Sequence, residues 1–497
     1  MYWNFDKGLH TINVTLLANA EKFKSYQSTQ SNKNFSPNAL LGYHNLGIGA
    51  QPVIGTNDQT QTADALMARI NYSLTDRYIF MASVRRDGYS AFGQKNPRNV
   101  FPAASFGWIL SEENFFKADF VDFLKLRLSW GANGNRDIGR YSALARMGTV
   151  KYLEGDHQTV IGLNLSSMPN SELQWESTEA FNIGFDFVVF KDKLNGSLEY
   201  YNMSTTNQLL TRTLPSITGY GSVVANLGQV DNHGFEATLN WTNVKKNKFK
   251  WDSYFTASMN RNEIVHLYGD MEDVLDEEGN VIGQKESDDV SNGWFIGHAI
   301  DAVYDYNRLG IYQLGEEELA ATYGRAPGDI KFEDVNDDES INATDDKKFL
   351  GHRQPRLRLG MRNDFTFLDN FDLSFYMYAN LGQLATENLR TWGRFNALSG
   401  NYYNVGYWTP DNPTNDFARI QAARQVNWWN DASFLRMQNI TLGYYFSSNL
   451  LNKMGISKLR AYLNVDNVFV ITNYYKYDPE TRRPTPRNIS FGLNLTL

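Results

Sequence analysis

The sharpest chemistry-bearing stretch in this 497-residue chain is "DVNDDESINATD". Asp334, Asn336, Asp338, Ser340, Asn342 and Asp345 fall on positions 1, 3, 5, 7, 9 and 12 of a loop with the apolar Ile341 at position 8. Alternating oxygen donors at that spacing can wrap a Ca²⁺ ion, with position 7 giving its backbone carbonyl. Glu339 stands where such loops carry glycine, and Asp345 where they carry a bidentate glutamate. The same residues would equally make an acidic surface loop held by Asx turns. Bound calcium would stiffen an exposed loop.

Aromatic clusters come next. "NYYNVGYW" brings Tyr402, Tyr403, Tyr407 and Trp408 together, and "VNWWND" supplies Trp428 and Trp429. Such faces can stack on sugar rings, so these six are candidate substrate contacts. They can also serve as interfacial girdle or loop packing. Charged residues within alternating segments (Arg127, Asp186, Glu199, Glu236, Arg358 and Arg460) could line a polar path or simply solvate it. Catalysis finds little support. The seven histidines lack His-Glu-x-x-His spacing, and no Gly-x-Ser-x-Gly elbow occurs. The chain reads as a non-enzyme with no required cofactor.

Composition narrows the class further. Net charge −8 gives no basic footprint for nucleic acid. The absence of cysteine removes disulfides and thiolate sites. Aromatic residues reach 14%, yet mean hydropathy is −0.47 and no apolar run suits a membrane helix.

The elements that must position these residues are strands. In "NISFGLNLTL", Ile489, Phe491, Leu493 and Leu495 alternate with Ser490, Gly492, Asn494 and Thr496. The same period of two runs through "FLKLRLSW", "EAFNIGFDFVVF" and "HGFEATLNW". About 14 segments of roughly 9–12 residues follow it, the length of a tilted membrane strand. Short turns ("LTDR", "FKDK", "VKKNKF", "FLDNF") alternate with long polar loops near 24–64, 86–100, 133–172, 205–228, 262–355 and 384–432. That layout predicts an all-β, antiparallel transmembrane barrel with periplasmic turns and extracellular loops. An even strand count puts both chain ends on the short-turn side, and closure would pair the last strand with the first. The competing classes are a soluble sandwich or propeller, a passive porin or structural barrel, and an outer-membrane enzyme.

"SVRRDGYSAFGQKNPRNVFPAASFGW", "LKLRLSWGANGN", "LQWESTEAFNIGFDF", "NLGQVDNHGFEATL", "PGDIKFEDVNDDESINATDD", "YWTPDNPTNDFARI", "SFLRMQNITLGYYF" and "KYDPETRR" occur in that order. This series resembles the SusC/RagA-type TonB-linked outer-membrane transporters over nearly all of residues 65–497. The resemblance implies a 22-stranded, plugged barrel in the Gram-negative outer membrane. It also implies import of oligosaccharides or peptides, TonB–ExbB–ExbD coupling through an N-terminal plug, and a SusD-like lipoprotein lid. On it, residues 1–497 are expected to be the C-terminal part of the barrel, without plug or signal peptide and unable to close the barrel alone.

Overall fold

A computed structural model describes residues 1–35, 44–155, 158–276, 278–386, 406–419, 428–447, 451, 455–475 and 477–496. Its frame is one fifteen-stranded sheet in which sequence order is spatial order. The strands are β1 Tyr2–Lys7, β2 His10–Ser31, β3 Val53–Leu74, β4 Tyr78–Tyr89 and β5 Arg98–Ile109. There follow β6 Val121–Asn135, β7 Glu176–Val189, β8 Leu194–Thr206, β9 Gln229–Lys246 and β10 Phe249–His266. The series ends with β11 Leu357–Phe367, β12 Phe371–Leu381, β13 Phe434–Tyr445, β14 Lys458–Thr472 and β15 Asn488–Thr496. Every neighbouring pair is antiparallel. Among the described residues the helix Glu317–Thr322 is a single short one, and no helix is long and apolar enough to cross a membrane.

Two expectations change. Residues 2–7 form a strand that the alternation count leaves out. Gly8, at φ +59°, turns the chain in two residues, so Lys7 pairs with His10 and Phe5 with Ile12. That additional strand makes the count odd: β1 begins partway along β2, with the Met1 amine on the Leu16 carbonyl, and runs toward the short turns, while Thr496 lies at the short-turn end. The region 24–64 is also less of a loop than its polarity suggests. β2 and β3 stay in register from His10↔Leu74 out to Ser31↔Val53, while β4 stops at Tyr89↔Ala63. The outer half of this hairpin has water on both faces, so its ladder forms without apolar alternation to announce it. β1 and β15 form the two edges of the sheet and do not pair with each other.

Alternation puts apolar side chains on one face. Ile489, Phe491, Leu493 and Leu495 are more than half exposed, and the row Ile183, Tyr200, Phe235, Met259 is continuous across β7–β10. In a bilayer this outward face meets acyl chains, and the opposite face lines the lumen.

The inner face is built from arginine–glycine pairs. Arg127 on β6 lies across Gly184 of β7 and reaches Glu199 on β8 at 2.6 Å, with Asp186 held at 2.8 and 2.9 Å. Arg460 on β14 likewise crosses β13 at Gly443 to Asp372 on β12, at 2.5 and 2.9 Å. A Cβ at Gly443 would stand 2.3 Å from Asp372 Oδ1 and 2.6 Å from Arg460 Nε, so only glycine lets the guanidinium lie flat there. Gly443→Ala should therefore break this bridge and lower barrel stability by about 1–3 kcal/mol. The check is the temperature at which folded, heat-modifiable migration on a gel is lost. Unchanged migration would show that the bridge carries no weight.

Candidate functional site

One register line crosses the inner wall as Gly107, Arg127, Gly184, Glu199, Glu236, Ser258, Arg358 and Asn380. Two acids, Glu199 and Glu236, therefore stand directly opposite each other, an arrangement that repels unless a cation intervenes. Arg127 neutralises Glu199. Glu236 has no ion pair among the described residues, and Arg358 donates only to Gln354, at 3.4 Å. Between these two lies a cavity of about 480 Å³, walled also by Tyr376, Tyr378, Asn380 and Glu480. The rings of Tyr376 and Tyr378 stack with centroids 5.9 Å apart. Phenols, an amide, a carboxylate and a guanidinium thus converge on one inner-wall pocket.

Glu480 comes from the loop between β14 and β15. It accepts from Tyr378 Oη at 2.6 Å, while Asp478 accepts from Arg436 Nη2 at 2.6 Å. Arg436 and Asp478 are both almost fully buried. Removing either partner from such a pair strands a charge out of water and typically costs about 3–5 kcal/mol. This pair anchors "YDPE" over the inner wall, a role that the alternation of β13 alone does not reveal. At the other side of the mouth, Phe92 of "SAFG" packs on Trp175 of "LQWE", and Gly93 N–H donates to the Leu173 carbonyl at 2.8 Å. Side by side with them lies a second inner cavity, of about 430 Å³, with Arg85, Asp87 and Arg136 on its walls.

The loop aromatics are largely committed elsewhere. Trp428 is 1% exposed beneath the Arg308 guanidinium, which sits 3.5 Å from its ring centre. Trp408 is 6% exposed and donates to Gln313, and Trp429 donates to Asp305 at 2.9 Å. With the Arg419–Asp329 pair at 2.7 Å, these contacts bind residues 406–419 and 428–434 to segment 302–332. Trp408 and Trp428 have no free face for a sugar here, and Tyr407 is half-buried. Tyr402 and Tyr403 lie outside the described residues.

In the acidic loop, Asp334 accepts from the N–H groups of Asp338 and Glu339, Asp338 from Ser340, and Asn342 from Thr344 and Asp345. Glu339 takes the sharp turn at φ +61° despite its side chain. The fully buried Asp346, one residue beyond the repeating positions, clamps the loop by accepting from Val335 and Asn342 N–H. Among the described residues no three His, Asp or Glu side chains converge as a metal cage requires. Calcium would need Asp334, Asp338 and Asp345 to draw together from these positions.

Electrostatics also fold the hairpin that follows β10. Burial alone would raise the Glu286 pKa, but the Gly269 N–H, His266 and the Leu267 N–H together hold it below the ordinary value. A depressed carboxylate contributes stability that is complete above its unfolded value of about 4.3 and is lost as pH falls through the folded one. The protection of the Leu267 and Gly269 amides, relative to their intrinsic exchange rates, should therefore fall as pH drops below the ordinary carboxylate range. Glu286→Gln should weaken protection at neutral pH and flatten that dependence. A wild-type profile flat to pH 3 would refute the assignment.

The TonB dependent receptor-like β-barrel family model matches residues 2–468. "TonB-dependent receptor P3" of Formosa agariphila is 30% identical over 513 residues, covering 100% of this chain and 50% of that protein. "TonB-dependent receptor SusC" of Bacteroides thetaiotaomicron is 30% identical over 476 residues, covering 91% and 45%. The RagAB peptide transporter superposes with a TM-score of 0.80 over 99% of this chain and 54% of that one, and its 20% identity speaks to the fold. The chain spans about half the length of the curated relatives it matches. An outward apolar face, a charged inner wall and alternating short turns and long loops agree with the family match: the chain belongs to the TonB-dependent receptor-like β-barrel family of the outer membrane.

Proposed function

We propose that this chain is the C-terminal barrel portion of a SusC-like, TonB-dependent importer of oligosaccharides or peptides. In this reading a SusD-like lipoprotein closes over the long loops, and TonB acts through a plug. The observation that carries it is the inner-wall pocket between Glu236 and Arg358, where unpaired charges and stacked tyrosines face a polar cavity. Such groups bind hydroxyl-rich or amide-rich solutes by hydrogen bonding and ring contact. The two unpaired sheet edges support the domain assignment, because lipid cannot satisfy exposed ladder groups. Further strands would meet β1 and β15.

Intact mass of the protein purified from its outer membrane tests that assignment. A species well above the 56.8 kDa of this chain is expected, and one at that mass would overturn it. Import is tested by uptake of labelled oligosaccharides and oligopeptides into cells with and without a protonophore. An energised importer should lose uptake when the proton gradient collapses, and Arg358→Ala with Tyr378→Ala should lower it roughly tenfold, the loss of about 1.4 kcal/mol of binding. Uptake indifferent to the protonophore would identify a passive porin.

A further inference from the structure

We propose that the outer wall of β3–β6 carries a specific site for one phosphorylated lipid of the outer leaflet. Its acyl chain would lie in a groove over Ala82 and Ala104, and its phosphate would rest on Arg86 and Arg98. Two independent features of the same face meet here, and the transport reading uses neither.

The first is shape. Ala82 and Ala104 are register partners on β4 and β5, with Ile70 beside Ala82 and Trp130 beside Ala104. Below them Phe80 and Phe106 pair, with ring centroids 4.9 Å apart. Two methyl groups set among large side chains leave a groove of about 440 Å³, lined by these six residues and their neighbours. It opens on the apolar face, where Ile70, Phe80 and Trp130 are each more than 40% exposed. A hydrocarbon chain is the solute such a surface takes from a bilayer.

The second is charge. Arg86 lies four residues beyond Ala82 on the same face of β4, toward the long loops, about 13 Å along the strand. Arg98 flanks it on β5, since Gly88 pairs with Arg98 and Arg86 with Val100. Both arginines share one carboxylate. Arg98 bonds Asp64 at 3.0 and 3.3 Å, and Arg86 bonds it at 3.1 Å. Two guanidiniums on one acid leave a net positive charge, and the side chains are 43% and 53% exposed. Asp64 fixes their planes, and guanidinium forks suit phosphate oxygens. Periplasmic of the groove, Tyr78 and Trp108 stack as an aromatic belt, so the arginines mark the opposite, extracellular edge of the apolar band. A chain in the groove thus carries its headgroup to the arginines. Free phosphate would leave the groove empty, and a second copy of this chain would need no arginines.

The test uses the protein extracted from its outer membrane in mild detergent, delipidated and examined by native mass spectrometry. The probes are bisphosphoryl lipid A, the same lipid after phosphatase treatment, and inorganic phosphate. One bisphosphoryl lipid A per protein should be retained. Dephosphorylation of the lipid, Arg86→Gln with Arg98→Gln, or Ala104→Leu should each lower retention roughly tenfold. Arg86→Lys with Arg98→Lys, which keeps the charge but not the fork, should fall between. Heat-modifiable migration confirms that each variant is folded, and the arginine pair, standing at the exposed rim, can be removed without touching the packed wall. Equal retention by the glutamine variant or of the phosphate-free lipid would overturn the proposal. So would phosphate binding alone, or a dimer that Ala104→Leu dissociates.

Discussion

Everything in this molecule is subordinate to one requirement: within hydrocarbon, each backbone N–H and C=O must find a partner in the protein. Antiparallel neighbours meet that demand residue by residue, from His10↔Leu74 in β2–β3 to Asp466↔Asn488 in β14–β15. The ladder then dictates the side chains. With a period of two, each strand must present one face to lipid and one to water, and a slip of one residue would exchange them. Irregularities occur where the pattern must be re-aimed, as between Tyr376 and Met377 or Met437 and Asn439. The same requirement makes the edges β1 and β15 the least satisfied parts of the wall.

The inner face solves a different problem. Charges in a confined lumen repel when alike and cost desolvation when buried, so they are spread along the wall in bridges that cross strands. Glycines at 184 and 443 are part of that design, because each lets an arginine reach two strands away. These bridges also leave a deliberate imbalance. Arg127 and Arg460 are engaged in ion pairs, whereas among the described residues Glu236 has none and Arg358 only its 3.4 Å bond to Gln354. An acid and a base without ionic partners on one wall of a cavity are open to hydrogen bonds from a polar solute.

The alternation in "SFGLNLTL" and "HGFEATLNW", together with short turns facing long loops, makes the barrel legible in the sequence. It failed where lipid no longer imposes it. The outer half of β2–β3 is polar on both faces, and β1 is only six residues long behind a two-residue turn. The charged residues of the inner wall could be placed on one face, but their pairing could not. Arg127 with Glu199 depends on cross-strand register, and Arg436 with Asp478 joins residues 42 apart through a folded-back loop. Residue type alone does not distinguish an aromatic that awaits a sugar from one that, like the buried Trp408 and Trp428, already holds a loop. Asp346 was missed because it is neither in the repeating positions nor exposed.

The buried tryptophans carry a consequence for how the mouth works. Residues 406–419 and 428–434 share with segment 302–332 a small core of Ile311, Trp408 and Trp428, closed by Arg308 and by the Arg419–Asp329 pair. These contacts are coupled, because opening them one at a time would strand the buried Asp329 without its guanidinium. Aromatics committed in this way are closed to a solute, which leaves recognition to surfaces whose groups lack a full partner. On this molecule the clearest such surface is the inner wall at Glu236, Arg358 and the paired tyrosines. The same rule describes the outside, where Arg86 and Arg98 share an acid too few. In both places the group left without a full partner, more than the cluster of eye-catching residues, shows where the protein meets something else.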